Sequence, residues 1–344
     1  MRVLVARMDN DGDVLLAGPA VRAVARDARV TLLCGPRGRR AAELLPGVDE
    51  VICHHCPWID AHPEPVDAAT TAALVDDVAR RGIDRAFILT SFHQSPLPLA
   101  LLLRLAGVGE VAATSVDYPG SLLDVRHRID DDVHEVERSL ALVATLGHGL
   151  PAGDDGALAV RRRAGGAAPA GLPLAPFVVV HPGTSMPARA WPAERHAALV
   201  DALHDAGRAV VVTGAPAEID LTARVARPRP GVSDLGGRTS LAELAEVLAR
   251  ADAVVVGNTG PAHLAAAVGT PVVSVFAPTV PAVRWRPWRV AHVLLHVEVP
   301  CAGCRARACP VPGHPCLEGV EVDAVLAALD RLTGAGSRRR AMAA

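Results

Sequence analysis

The chain has 344 residues, of which half are hydrophobic but only 3% aromatic, and 35 Lys and Arg stand against 37 Asp and Glu, a net charge of -2. This length suits two α/β domains of ordinary size, with cores built from Ala, Val and Leu. The charge balance lacks the electrostatic footprint of a nucleic-acid-binding protein, so no nucleic-acid partner is expected.

The sequence opens with a predicted strand, so we expect no targeting signal there. The most apolar stretch, "LPLALLLRLAGVG" at 97–109, is shorter than the roughly 20 residues of a membrane-spanning helix and contains Arg104. We therefore expect a cytoplasmic protein with a buried helix at this stretch and at most peripheral contact with the inner face of the membrane.

The first unusual feature is "ARMDNDGDVLLAG" at 6–18, an acidic turn between a strand and a helix. A calcium loop would need Gly at position 14 and Glu at position 20, where Val14 and Ala20 stand. A dinucleotide fingerprint would need three closely spaced glycines, and only Gly12 and Gly18 are present. Asp13 falls in the first turn of the helix, where free amides and the helix dipole favour a carboxylate.

Strand and helix patterns alternate from residue 1 to about 150, which predicts βαβ units and a parallel sheet. Residues 151–175 are dense in Gly, Ala and Pro and read as a linker. The same alternation resumes over 176–332, and 333–344 is predicted to be a disordered tail. The implied architecture is two Rossmann-like domains facing each other across a cleft.

Three strand ends in the second half carry groups suited to a diphosphate. "HPGTSMPARAWP" supplies Thr184, Ser185 and Arg189, and "VVVGNTGPAH" supplies Asn258, Thr259, Gly260 and His263. "VVVTGAPAE" supplies Gly214 and Glu218, an acid that could accept from ribose hydroxyls. Together these loops predict a nucleotide-diphosphate site, with His263 in a binding or orienting role.

Four cysteines cluster in "CAGCRARACPVPGHPC", namely Cys301, Cys304, Cys309 and Cys316. Their spacing is compatible with a structural zinc site in a reducing compartment, and a metal-free thiol loop is an equal alternative.

The motifs at 7–25, 181–192, 213–218 and 257–278 resemble glycosyltransferase family 9, the ADP-heptose heptosyltransferases of the two-domain GT-B fold. The resemblance covers nearly the whole chain. It implies an inverting transferase with no cofactor required for catalysis, in which 1–150 is the acceptor-side domain and 176–332 binds the nucleotide sugar. An ADP-sugar is the favoured donor, and the hydroxyl acceptor belongs to a surface glycan or glycolipid precursor.

By the same resemblance, Asp13 is the general base that takes the proton of the acceptor hydroxyl. Asp9, Asn10 and Gly12 lie on the acceptor side, and Arg189 stands where many members have Lys. Asn258 stands where heptosyltransferases often have Asp, and the acidic residues at 9–11 replace small hydroxyl residues. A nucleotide-sugar epimerase and a non-catalytic nucleotide-sugar binding protein are the alternatives.

Overall fold

The computed structural model describes residues 1–60, 63–91, 93–162, 169–174 and 176–343, with side chains through Gly334. The chain divides into two compact units, Met1–Arg161 and Arg162–Ala344. The boundary between the units falls inside the predicted linker, of which residues 163–168 and 175 lie outside the described residues.

Unit 1 contains one six-stranded parallel sheet in the order β3-β2-β1-β4-β5-β6. Its strands are β1 (Arg2–Arg7), β2 (Arg29–Cys34), β3 (Glu50–Cys53), β4 (Arg85–Ile88), β5 (Glu110–Thr114) and β6 (Val125–His127). Its helices are α1 (Asp11–Ala25), α2 (Arg39–Ala42), α3 (Ala68–Arg81), α4 (Leu97–Leu105) and α5 (Glu135–Ala144).

Unit 2 repeats this plan, with a parallel sheet in the order β12-β11-β10-β7-β8-β9. Its strands are β7 (Phe177–His181), β8 (Ala209–Gly214), β9 (Val232–Gly236), β10 (Ala253–Gly257), β11 (Val272–Val275) and β12 (His292–Leu295). Its helices are α6 (Ala193–Asp205), α7 (Ile219–Ala226), α8 (Leu241–Arg250), α9 (Gly260–Ala267), α10 (Ala282–Trp285), α11 (Pro315–Glu318) and α12 (Val322–Ala343).

The central strands are continuous apolar runs because helices cover both faces of a parallel sheet. Val3, Leu4, Val5 and Ala6 of β1 are fully buried, as are Val254, Val255 and Val256 of β10. Burying one such side chain contributes about 1.5–3 kcal/mol before entropy is counted. β1 pairs with β2 and β4, and β10 pairs with β7 and β11, so each sheet is built outward from an apolar centre.

Local helix signals in the sequence are borne out at several positions. The sequence Ser-x-x-Glu at 240–243 is typical of a capping box, and Ser240 and Glu243 form one at the start of α8. Pro261 lies in the first turn of α9, where proline is well tolerated. A buried helix was predicted at 97–109. The helix α4 ends at Leu105 and is buried on one side only, since Leu101 is 47% and Leu105 66% exposed. None of the described helices is long and apolar enough to cross a membrane.

The last helix reaches nearly to the end of the chain. The backbone of α12 is helical to Ala343, and the disordered tail expected at 333–344 stays a prediction. The side chains of 335–344 lie outside the described residues.

Candidate functional site

Each sheet has one place where the strand order reverses, and this place lies between β1 and β4 in unit 1 and between β7 and β10 in unit 2. At such a point the loops leave neighbouring strands in opposite directions, and ligands bind beyond the carboxyl ends of the strands. Most of the residues predicted for function lie at these two points, and Gly214 and Glu218 lie after the neighbouring strand β8.

In unit 1 the centre of the cluster is Arg7, the last residue of β1, whose side chain is 3% exposed. Nε lies 3.0 Å from Asp9 Oδ2, Nη2 lies 3.0 Å from Asp13 Oδ1, and Nη1 lies 3.4 Å from Glu135 Oε2. Nη2 also donates to Ser91 Oγ at 3.0 Å, beyond the end of β4. Burial lowers the pKa of Arg7, but the three carboxylates outweigh it and raise that pKa above its ordinary value, so the guanidinium stays charged.

The carboxylates on this guanidinium differ in exposure, with Glu135 at 2%, Asp9 at 10% and Asp13 at 21%. Asp9 also accepts from Gln94 Nε2 at 2.5 Å, and its pKa is raised to about 6 because burial outweighs the attraction of Arg7. Asp13 is therefore the carboxylate of the group that is most open to a ligand. Its Oδ1 is held by Arg7, and Oδ2 is the oxygen that Arg7 leaves unengaged.

The other residues of the acidic turn serve the local structure. Asn10 is the exposed N-cap of α1, and its carbonyl accepts from the Val14 amide at 3.1 Å. Gly12 is buried in the first turn. Asp11 pairs with Arg40 at 2.7 Å and accepts from the Ala41 amide at 3.1 Å, so it fastens α2 to the turn.

Sequence reasoning missed Arg7, Ser91, Gln94 and Glu135. A signal existed for Arg7, because a charged residue that closes an otherwise apolar strand needs a partner. No local signal pointed to Glu135, which lies 128 residues away from Arg7 in sequence.

In unit 2 the structure brings Arg189 and Asn258 together. Arg189 lies at the end of a short 3-10 turn after β7, where Nη1 is 3.5 Å from the Asn258 carbonyl and Nε donates to Thr279 Oγ1 at 3.3 Å. Thr279, which follows β11, is 3% exposed and was not predicted. The guanidinium is thus fixed by a carbonyl and a hydroxyl and lies at the strand end where a diphosphate would be expected.

The junction between β10 and α9 has the form of an anion site. Thr259 is an extended N-cap whose side chain makes no capping bond, and α9 begins at Gly260. Buried Asn258 donates Nδ2 to the Ala277 carbonyl at 3.2 Å, and buried His263 lies in α9 one turn further on. The first amides of such a helix favour a negatively charged ligand.

The remaining predicted donor residues lie on neighbouring loops. Thr184 Oγ1 accepts from the Met186 amide at 3.3 Å, and Ser185 is exposed. Buried Gly214 ends β8, and Glu218 accepts from the Ala215 amide at 2.8 Å. The Glu218 carboxylate fastens its own loop, and this local bond was not foreseen for a residue expected to contact ribose.

Because Gly183 has no side chain, the Glu218 carboxylate can lie close to the backbone of the loop after β7. A Cβ at Gly183 would overlap both oxygens of that carboxylate. The loops after β7 and β8, which carry Thr184 and Glu218, therefore meet at these strand ends, as the sequence led us to expect.

A buried histidine below these loops was also missed. His181 ends β7 and lies 2.9 Å from Thr213 Oγ1. Burial, with a contribution from His196, lowers its pKa to about 4, so the imidazole is neutral near pH 7.

The cysteine cluster forms a loop that packs on the same strand ends. A cavity of about 30 Å³ is lined by residues of the loop and of the strand ends, among them Ala188, Thr279, Cys301, Cys304, Cys309, His314 and Cys316. The four thiols are free, and the pKa of Cys316 is raised by burial and by its three neighbouring cysteines. Across the described ranges, no group of three or more His, Cys, Asp or Glu side chains is arranged to hold a metal ion. The thiols are therefore not arranged as a zinc site in this structure, and zinc stays a prediction.

Curated relatives match part of the chain. Lipopolysaccharide heptosyltransferase 3 from Escherichia coli is 34% identical over 116 residues, covering 33% of this chain and 34% of that protein. Lipopolysaccharide heptosyltransferase 1 from Pseudomonas aeruginosa is 36% identical over 138 residues, covering 40% and 38%. The matched segments span about a third of the length of these curated relatives.

Solved structures share the fold over nearly the whole chain. A family 9 glycosyl transferase from Veillonella parvula has 17% identity and a TM-score of 0.79, covering 96% of this chain and 97% of that one. The ADP-heptose lipopolysaccharide heptosyltransferase II of E. coli has 20% identity and a TM-score of 0.76, covering 98% and 100%. These likenesses confirm the predicted α/β fold class of the GT-B transferases.

The family itself is shown by a sequence model. The model described as glycosyltransferase family 9 (heptosyltransferase) matches residues 94–314, more than half of the chain. The match includes the loop with Arg189 and the β10–α9 junction. The chain belongs to glycosyltransferase family 9.

Proposed function

We propose that this protein moves a sugar from a nucleoside diphosphate to an acceptor hydroxyl with inversion at the anomeric carbon, and that Asp13 is the general base. The observation that carries the proposal is the hydrogen bonding and the exposure of the Asp13 carboxylate. Its Oδ1 is bonded to a buried guanidinium, and it is the most exposed of the three carboxylates on that group. A base needs a fixed orientation and an oxygen that a substrate can approach, and the bond to Arg7 and the exposure of Asp13 support this role.

The reaction is a single displacement in which Asp13 Oδ2 takes the acceptor proton as the hydroxyl oxygen attacks the anomeric carbon. The bond from that carbon to the diphosphate oxygen breaks at the same time, and the electron pair leaves with the diphosphate. In unit 2, Arg189 and the first amides of α9 stabilise the departing charge. No step in this scheme uses a metal ion.

The donor is proposed to be an ADP-sugar of the heptose type. A related E. coli heptosyltransferase was solved with ADP-2-deoxy-2-fluoro heptose, at 24% identity to this chain. The relatives act on lipopolysaccharide or lipooligosaccharide by name, which supports a surface glycan or glycolipid precursor as acceptor. A cytoplasmic location at the inner face of the membrane fits this substrate class.

The test compares Asp13→Asn with Asp11→Asn, a matched change two residues away in the same turn. Titration calorimetry with ADP-heptose and ADP measures donor binding, and release of ADP in the presence of acceptor measures turnover. The Asp13 change should lower kcat by about 10²- to 10⁴-fold with donor affinity unchanged. The Asp11 change should leave turnover within a few-fold of wild type.

Other outcomes separate the alternatives. Full turnover in Asp13→Asn would remove this residue from the mechanism. Conversion of the donor sugar without any acceptor would indicate an epimerase. Tight donor binding with no turnover under any condition would indicate a binding protein.

A further inference from the structure

Placing the charged side chain of Arg7 at this buried position costs free energy. It follows four fully buried apolar residues of β1 and is itself 2% exposed. A buried charge is costly unless it is paired, and replacing a buried ion pair by apolar residues of similar volume is often neutral or stabilising. Stability alone therefore does not account for a guanidinium at the end of this strand.

The guanidinium instead connects separate elements of unit 1. Nε reaches Asp9 in the turn, Nη1 reaches Glu135 at the start of α5, and Nη2 reaches Asp13 in α1. A guanidinium is planar and its donors point in fixed directions, so the hydrogen bonds to Asp13, Ser91 and Glu135 define its orientation. Asp9 lies within ion-pair distance of Nε. Lysine would place the same charge nearby without this geometry.

Arg7 is held from its far side as well. Glu135 is 2% exposed, and its second oxygen, Oε1, lies 3.7 Å from Nε of Arg138, one turn along α5. Ser91 accepts from Arg7, and the Ser91 amide donates to Gln94 Oε1 at 3.1 Å. Gln94 in turn bonds Asp9. Asp13 is thus the outer, more exposed end of a network whose other members are largely buried.

We propose that Arg7 is a positioning residue for Asp13, and that Glu135 holds Arg7 in place. The inference rests on the proposed function of Asp13 as base. Arg7 fixes Oδ1 of the carboxylate and so directs Oδ2 toward the position of the acceptor hydroxyl. Small displacements of a reacting group lower rates steeply, because orientation is a large part of the rate enhancement.

The first experiment compares Arg7→Lys with Arg22→Lys. Arg22 is also in unit 1 and bonds Asp154 through two nitrogens, with a side chain 14% exposed, but Asp154 lies in the segment after α5 rather than in the acidic turn. We expect Arg7→Lys to lower kcat by about 10- to 100-fold with the donor Kd and the melting temperature near wild type. Arg22→Lys should change stability more than kcat.

A second readout separates positioning from mere support of the fold. Arg7→Ala leaves a space shaped for a guanidinium, so added guanidinium ions at non-denaturing concentration should restore part of kcat, whereas ammonium ions should not. Glu135→Gln keeps the shape of the residue that holds Arg7 and should lower kcat by less than Arg7→Lys. If the Arg7 variants do not fold, Glu135→Gln provides the test instead. It should lower kcat and leave the donor Kd near wild type.

A double-mutant cycle decides whether Arg7 acts through Asp13. In an Asp13→Asn background, Arg7→Lys should cause no further loss of residual turnover. The same fold-loss in both backgrounds would overturn the proposal, as would wild-type kcat in both Arg7→Lys and Glu135→Gln. These outcomes differ from failure of the proposed function, in which Asp13→Asn itself retains turnover.

Discussion

The two units share one strand order, yet the strand ends at their reversal points differ in chemistry. In unit 1 a buried guanidinium gathers three carboxylates, of which only Asp13 keeps substantial exposure. In unit 2 a half-buried Arg189 is held by neutral oxygens beside the start of a helix. The same topology thus provides a strand-order reversal twice, and the side chains at the two points differ, with an oriented carboxylate in unit 1 and a guanidinium beside the start of a helix in unit 2.

The buried titratable groups extend this contrast. Burial raises the pKa of Asp9 in unit 1 to about 6, and it lowers the pKa of His181 and of His196 in unit 2 to about 4. Between pH 4 and 6.5, Asp9 and these two histidines should therefore contribute to the pH dependence of stability with opposite signs.

The largest expected effect is the acid sensitivity of unit 2. A histidine with a folded-state pKa near 4 binds fewer protons than the unfolded chain below pH 6.5, so its contribution is complete above 6.5 and is lost as pH falls toward 4. At pH 5 the loss is about 2 kcal/mol for His196. His196→Asn should remove that part of the pH dependence, measured by urea unfolding at pH 7 and pH 5 with the fluorescence of Trp191, which packs on His196.

The matched control for this prediction is His204→Asn. His204 lies on the same helix, α6, but its side chain is 37% exposed. Because the substitution removes no buried imidazole, it should leave this part of the pH dependence unchanged. An equal loss of stability on acidification in wild type and in His196→Asn would contradict the prediction.

Donor binding should depend on Arg189. Charge-assisted hydrogen bonds to a phosphate are worth about 1.5–3 kcal/mol, so Arg189→Ala should weaken ADP binding by about 10- to 100-fold in calorimetry. Arg195→Ala is the control. It removes a guanidinium of α6 that pairs with Glu321, and this variant should bind ADP like wild type. Equal affinity in both variants would show that the anion site of unit 2 does not use Arg189.

The acidic turn of unit 1 should be sensitive to added volume at Gly35. A Cβ there would lie 2.5 Å from the Met8 carbonyl oxygen, and that contact is with backbone. Gly35→Ala should cost about 1–3 kcal/mol in the free energy of unfolding and should lower turnover while ADP affinity is kept. At Gly149 the nearest atom would be 3.7 Å away, so Gly149→Ala serves as the control. If Gly35→Ala lowered ADP affinity as much as turnover, this would contradict the prediction that the acidic turn of unit 1 affects turnover without affecting donor binding.

The last effect concerns Asp9. Because its folded-state pKa lies above the unfolded value, the native state binds more protons between about pH 4 and 6, and stability falls as pH rises through that range. Asp9→Asn should remove this component of the pH dependence in urea unfolding. Asp67 has a pKa lowered by the Thr70 amide, so Asp67→Asn should remove a component of the opposite sign. A pH dependence unchanged by Asp9→Asn would contradict the assignment.

The parts of the molecule that follow from short-range patterns could be read from the sequence. Apolar runs predicted the strands, and the place of Asp13 in the first turn of α1 followed from the strand–turn–helix pattern. The capping box at Ser240 was visible for the same reason. These features depend on neighbours within a few residues.

Features that depend on which strand ends lie side by side could not be predicted from the sequence. Arg7 and Glu135 are brought together by the packing of α5 against α1, and Arg189 and Thr279 by the order of β7, β10 and β11. Glu218 shows the reverse case, in which a plausible ligand-binding acid makes a local bond to the Ala215 amide. The exposed side of α4 was missed because a run of leucines hides which face is buried.

The loop that contains the cysteines is bonded to the segment that carries Arg189 and to Thr279, one of the two residues that fix it. The Ala188 amide donates to the Arg307 carbonyl at 2.9 Å, and the Arg305 amide donates to the Thr279 carbonyl at the same distance. If the loop opens locally, these amides lose their partners and Arg189 loses its support on two sides. Hydrogen exchange at Ala188 and Arg305 therefore measures the free energy of that opening, and a bound diphosphate should slow exchange at both amides together.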